Sequence, residues 1–204
     1  MIRYSYINNK ILDIYSMLPA LSFPINVYEI IEYLPNCKYM SYQDFAKINN
    51  CSINDVIQLC ESKSGCTHYD IINNRYLILS NQSLNDNNNI GRQRWTCGHE
   101  IGHTVCEHLV FSAYEKLCEN SLLNISNPEF EVEADYFAAT LLAPFPLFES
   151  LNIRSPIDIQ NQFELSVEAS LYRYKQYIKW SKNHLKTSWE NDVRKIYTNK
   201  SAIL

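Results

Sequence analysis

The chain has 204 residues, 46% hydrophobic and 20% charged, which is enough apolar material for one well-buried domain or one domain with an appendage. A formal net charge of −4 speaks against a nucleic-acid binder, which would be basic. No signal peptide follows Met1, and no apolar run reaches the roughly 18 residues of a membrane span, so a cytoplasmic protein is expected. The seven cysteines include no Cys-x-x-Cys pair and read as buried thiols of a reducing compartment.

Taken in order, the chain first predicts a helix around residues 8–18 and a Pro-bounded turn. A short amphipathic helix follows, capped by Asn26, with Val27, Ile30, Ile31 and Leu34 as its stripe. Residues 38–42 suit a strand, and 41–48 are ambiguous. A helix over 52–60 is capped by Ser52. A helix-turn-helix over 43–60 is the functional alternative. Against it stand Asp44, Asp55 and Glu61, with only Lys47 and Lys63 for phosphates. Residues 66–80 predict a β-hairpin turning at Asn73-Asn74, with 76–80 either inside a sheet or at its edge as a place for substrate to pair. His68 reads as an ordinary surface or core histidine. The Asn-rich stretch 81–91 reads as a solvated loop.

The sharpest chemical signal is His99-Glu100-Ile101-Gly102-His103. On a helix, residues four apart share a face, so His99 and His103 can aim two imidazoles at one zinc. Glu100 lies beside that point, where a carboxylate can take a proton from an attacking water. This helix is expected to continue to about residue 117. On such a helix His108 would lie about 140° round from His103, away from the metal. Cys97 and Cys106 flank the motif, with a thiolate ligand or redox switch as the alternative to plain burial.

A second helix is predicted from Asn127 and Pro128 to about Leu142, where Pro144 and Pro146 end it. Phe130, Ala134, Phe137 and Leu141 make its apolar stripe, and Ala138-Ala139 would let another helix approach closely. Glu131 and Asp135 share a different face. Glu133 lies roughly 200° round from Glu131, so both cannot face the metal. Glu131 is assigned as third ligand because Asp135 is then placed to accept the free N–H of a ligand histidine and set its tautomer. Helices over 156–163 and from Ser166 to about residue 178 follow, and a last one over 189–196.

Residues 94–103, Arg-Trp-Thr-Cys-Gly-His-Glu-Ile-Gly-His, and 131–144, Glu-Val-Glu-Ala-Asp-Tyr-Phe-Ala-Ala-Thr-Leu-Leu-Ala-Pro, resemble the ImmA/IrrE family of metallopeptidases. The likeness runs from about residue 66 to about 180, with two mild departures, Cys97-Gly98 and Ala143. It implies a gluzincin-like peptidase with one zinc per chain, ligands His99, His103 and Glu131, and Glu100 as catalytic glutamate. It also implies a protein substrate, typically a helix-turn-helix repressor. The fold expected is α+β, a mainly helical zincin-like domain with a small sheet or hairpin before the metal helix. Its organisation would be a helical segment over 1–64, the peptidase domain over 65–180 and a tail over 181–204. The alternative function is a zinc-holding module that binds a regulator without cutting it.

Overall fold

The structure is a computed structural model, in which residues 1–83, 90–110, 116–118, 128–183 and 187–201 are described. Among these, nine α-helices pack around a four-stranded sheet, the mainly helical α+β architecture expected. Of the Asn-rich stretch 81–91, read as a solvated loop, residues 84–89 lie outside the described residues, as do 119–127 of the connector, while Asn81 is buried and residues 90–91 are already helical.

Helix α1 (Tyr4–Met17) buries Ile7, Ile11 and Ile14, spaced three and four apart, and so begins earlier than the sequence suggested. Helix α2 (Val27–Tyr33) starts at Asn26, whose side chain accepts the N–H groups of Tyr28 and Glu29. Strand β1 (Cys37–Ser41) leads into α3 (Tyr42–Asn49). The ambiguous stretch is helical because the Ser41 side chain caps it at the Asp44 N–H. Ser52 and Asp55 form a capping box for α4 (Ile53–Cys60). The apolar face shared by α3 and α4 is core: Tyr42, Ala46, Val56 and Cys60 pack with Cys66 and Leu79 of the sheet.

Strands β2 (Gly65–Asp70) and β3 (Arg75–Ser80) form the antiparallel hairpin. Its turn takes four residues instead of two, because the Asp70 carboxylate accepts from the Asn73 N–H at 3.1 Å and the Arg75 side chain at 3.1 Å. The sheet order is β1-β3-β2-β4, with β1 parallel to β3 and β4 (Lys116–Cys118) antiparallel to β2. Strand β3 is therefore internal. The edge role considered for residues 76–80 is overturned, since both of its ladders are already paired, and β1 and β4 are the edges.

Helices α5 (Ile90–Val105) and α6 (Pro128–Leu142) pack on each other and on the sheet side of the core. Arg173, buried on α8 (Val167–Asn183), donates Nε and Nη2 to the Ala143 carbonyl at 3.0 and 2.8 Å. It thereby satisfies an orphan acceptor at the end of α6. Helix α7 (Pro156–Phe163) supplies Ile159 and Phe163 to the core. Helix α9 (Ser188–Ser201) is longer than expected and lies on α1, with Trp189 Nε1 donating to the Asn8 carbonyl at 2.9 Å. One apolar cluster joins Ile7 and Ile11 of α1, Ile101 of α5, Phe137 of α6, Phe163 of α7 and Val193 of α9. Cys60, Cys66, Cys97 and Cys106 are buried, Cys37 half-buried and Cys51 exposed. No described helix is long and apolar enough to cross a membrane.

Candidate metal centre

The centre is built where α5 crosses α6. Gly91 lets the start of α5 lie against the α7–α8 connection, where a Cβ would stand 2.8 Å from the Glu164 carbonyl oxygen. Arg94, buried on α5, donates to Glu164 at 2.6 Å and to the Ile25 carbonyl at 2.9 Å, which pins that end. One turn further, small residues meet small residues. A Cβ at Gly102 would stand 3.1 Å from Ala134 Cα, and one at Gly98 would stand 3.6 Å from Ala138 Cβ. The close approach thus uses Ala134 and Ala138, one turn apart, where Ala138-Ala139 was expected.

That approach carries Glu131 to the two histidines. His99 Nε2 and His103 Nε2 are 3.0 Å apart. Glu131 Oε2 is 3.3 Å from His99 Nε2, and its Oε1 is 3.6 Å from His103 Nε2. Around a tetrahedral zinc with bonds of about 2.0–2.1 Å, ligand atoms stand roughly 3.3 Å apart. The triangle has that size. Among the described residues, Glu131 Oε1 is also a buried oxygen without a hydrogen-bond partner, an expensive state that a cation in the triangle would relieve. Two imidazoles and one carboxylate, so arranged, fit a zinc ion.

Behind His99, Asp135 Oδ1 lies 3.0 Å from Nδ1, its side chain 60% exposed. Glu100 is fully buried, and its Oε2 accepts from Thr67 Oγ1 at 2.7 Å. The contact exists because Gly65 lets β2 lie against α5, where a Cβ would stand 2.6 Å from Thr96 Cγ2. Sequence reasoning did not identify Thr67, whose contact spans 33 residues.

Behind His103 the structure departs from expectation. Helix α5 ends at Val105 instead of continuing to about residue 117. The Glu107 N–H returns to the Thr104 carbonyl and the His108 N–H to the His103 carbonyl, with Glu107 at φ 59°. This is a Schellman ending with glutamate in the left-handed position. It folds His108 back onto the last turn, so the angle expected on a continuous helix does not apply. His108 Nδ1 lies 2.9 Å from His103 Nδ1, and Phe130 stacks on the His108 ring at 4.4 Å. His108 Nε2 lies 2.9 Å from Glu133 Oε2. Glu133 does face away from Glu131. It accepts from Arg3 Nη2 at 2.6 Å, Nε at 3.0 Å and backbone N–H at 2.7 Å.

Burial, with His99 and His108 alongside, holds the His103 pKa well below the usual imidazole value, and burial also lowers that of His108. Burial would raise the Glu133 carboxyl, but Arg3 and His108 hold it down at about 2. Cys106, His108 and Glu133 form a second buried group whose ligand atoms lie within 4.8 Å of one another. Cys97 is in neither group and packs in the core. His68, half-buried on β2, is in neither group as well.

The family model described as the IrrE N-terminal-like domain, peptidase family M78, matches residues 68–175, just over half of the chain. The chain belongs to this family. The M78 match runs from β2 into α8 and takes in both helices of the centre, while Arg3 and Thr67 lie outside it. No curated protein matches the chain. The family and the triangle together support a peptidase with a metal-binding centre.

Proposed function

We propose that the protein is a zinc-dependent endopeptidase that cuts a protein substrate, of the helix-turn-helix regulator class, in the cytoplasm. The observation that carries this reading is the buried triangle of His99, His103 and Glu131 with its unpartnered Glu131 oxygen, one residue from Glu100. When bound, zinc supplies Lewis acidity, enough to lower the pKa of a water from about 15.7 to about 7. His99, His103 and Glu131 would hold the ion. Asp135, at the far nitrogen of His99, orients that ring. Glu100 takes the proton of the attacking water and later delivers it to the leaving amine. The Thr67 hydroxyl holds the Glu100 carboxylate in one rotamer for both transfers.

A second reading, a zinc-holding module that binds its regulator without cutting, is favoured by one observation. Glu100 is fully buried and already engaged with Thr67. The deciding experiment purifies wild type, Glu100→Gln and His103→Ala, counts zinc per chain, and incubates each with the helix-turn-helix regulator encoded nearest its gene. Wild type should carry one zinc and cut. Glu100→Gln should keep zinc and cut on the order of 10²–10⁴-fold more slowly. His103→Ala should lose both. Zinc and regulator binding without cleavage in either wild type or Glu100→Gln would favour the module, and substantial cleavage by Glu100→Gln would remove the general base.

A further inference from the structure

We propose that Arg3, acting through Glu133 and His108, sets the tautomer of His103 and so keeps its Nε2 lone pair pointed at Glu131 and His99. The inference rests on the reading of the triangle as a metal centre. It follows from hydrogen-bond sense once an ion, and not a hydrogen, lies between His99 Nε2 and His103 Nε2, which stand 3.0 Å apart. Arg3 has only donors, and it gives Glu133 two side-chain N–H groups and its own backbone N–H. A carboxylate so paired is an acceptor. The hydrogen between His108 Nε2 and Glu133 Oε2, 2.9 Å apart, therefore sits on His108. An ion on His103 Nε2 leaves the His103 hydrogen on Nδ1, so His108 Nδ1 must be the acceptor. Only one hydrogen fits between the Nδ1 atoms of His108 and His103, 2.9 Å apart, and it must come from His103. His103 Nε2 is then left with its lone pair, facing the triangle.

Both ligand histidines thus have a carboxylate behind them. For His99 it is Asp135, in direct contact and mostly exposed. For His103 it is Glu133, reached through a second imidazole and almost fully buried. Phe130 holds the intermediate ring in plane. The second group, Cys106, His108 and Glu133, is not a metal site on these hydrogen positions. A cation on Cys106, His108 and Glu133 would need the His108 Nε2 lone pair. The hydrogen would then sit on His108 Nδ1, and His103 would carry its own on Nε2, closed to an ion in the triangle. The Arg3 guanidinium, 2.6 Å from Glu133, opposes a cation there as well. Arg3, Glu133 and His108 are positioning residues, and Arg3 lies outside the M78 match.

The test uses the full chain as wild type, Glu133→Gln, Arg3→Gln and Arg3→Lys. Zinc stoichiometry and affinity are measured by competition with a chromophoric chelator, and histidine tautomers by 15N spectra of the zinc-loaded protein. Wild type should bind one zinc and show hydrogen on His103 Nδ1 and His108 Nε2. Glu133→Gln, whose amide can donate as well as accept, should bind zinc about 10–100-fold more weakly, with mixed tautomers. Arg3→Gln should also weaken binding, and Arg3→Lys should recover most of the loss. Wild-type affinity in Glu133→Gln, the opposite tautomers in wild type, or two zinc ions per chain would each overturn the proposal. Should Glu133→Gln fail to fold, equal affinities in Arg3→Gln and Arg3→Lys would overturn it instead. A wild type that binds no zinc would sink the ligand assignment itself, whereas zinc bound with wild-type affinity by every variant would sink only the role of Arg3, Glu133 and His108.

Discussion

His99 and His103 differ in what stands behind them. Asp135 is exposed, so its charge on His99 is screened by water. We expect Asp135→Asn to weaken zinc binding only about tenfold, read by chelator competition, because the buried support of His103 remains. A second residue-scale feature is the choice of residues at positive φ. Asn36, Asn50, Glu61, Asn74, Glu107, Asn152 and Glu164 occupy the left-handed region, and no glycine does. Gly65, Gly91 and Gly102 stand instead where a Cβ would collide or crowd. Glu107 is exposed, and its left-handed backbone costs about 1–2 kcal/mol relative to an unstrained conformation. Glu107→Gly should therefore stabilise the protein by about 1 kcal/mol, measured as a higher urea midpoint with unchanged slope. This residue also explains a misreading. A helix end without glycine or proline leaves little local mark, so the sequence predicted that α5 would run on.

At the scale of elements, the centre depends on how closely α5 and α6 approach. Ligands on two helices meet an ion only if the axes are held at the right separation, and here Gly98 and Gly102 face Ala134 and Ala138. Gly102→Leu would force the helices apart at the ligand turn. Overpacking of this kind costs typically 1–3 kcal/mol, so the fold should survive with a lowered melting temperature while zinc content falls well below one per chain. Parallel circular dichroism melts and metal analysis would check this; full zinc content in a folded Gly102→Leu protein would show that the approach is not limiting. The helices themselves were legible because caps and periodicity are local: Asn26, Ser52, Ser155 and Ser166 each accept backbone N–H groups at the helix starts expected. The place of β3 within the sheet was not, since an isolated strand pattern carries no record of its neighbours.

For the whole molecule, the apolar cluster ties the two ends of the chain to the centre. Helix α9 holds α1 through Trp189, Val193 and Lys200, which donates to the Ser16 carbonyl at 2.6 Å. Arg3 sits at the N-terminal end of α1. Trp189→Ala should cost about 1–3 kcal/mol through lost packing and the lost indole hydrogen bond to the Asn8 carbonyl, seen as a lower melting temperature. Zinc stoichiometry should stay at one per chain, because none of the three proposed ligands rests on α9; loss of zinc from a folded variant would show that the ends of the chain govern the centre directly.

The sequence alone determined the histidine pair on one helix, the carboxylates of the next helix and the sense in which each presents them. All three follow from the fixed rise and turn of an α-helix, which convert spacing into direction without reference to the rest of the chain. Only the tertiary structure decided what supports those groups. Thr67 reaches Glu100 across 33 residues, and Arg3 reaches Glu133 across 130. Such pairs carry no periodicity. They arise where apolar faces dock and leave polar groups buried, and each buried group must then find whatever partner the packing has brought within reach.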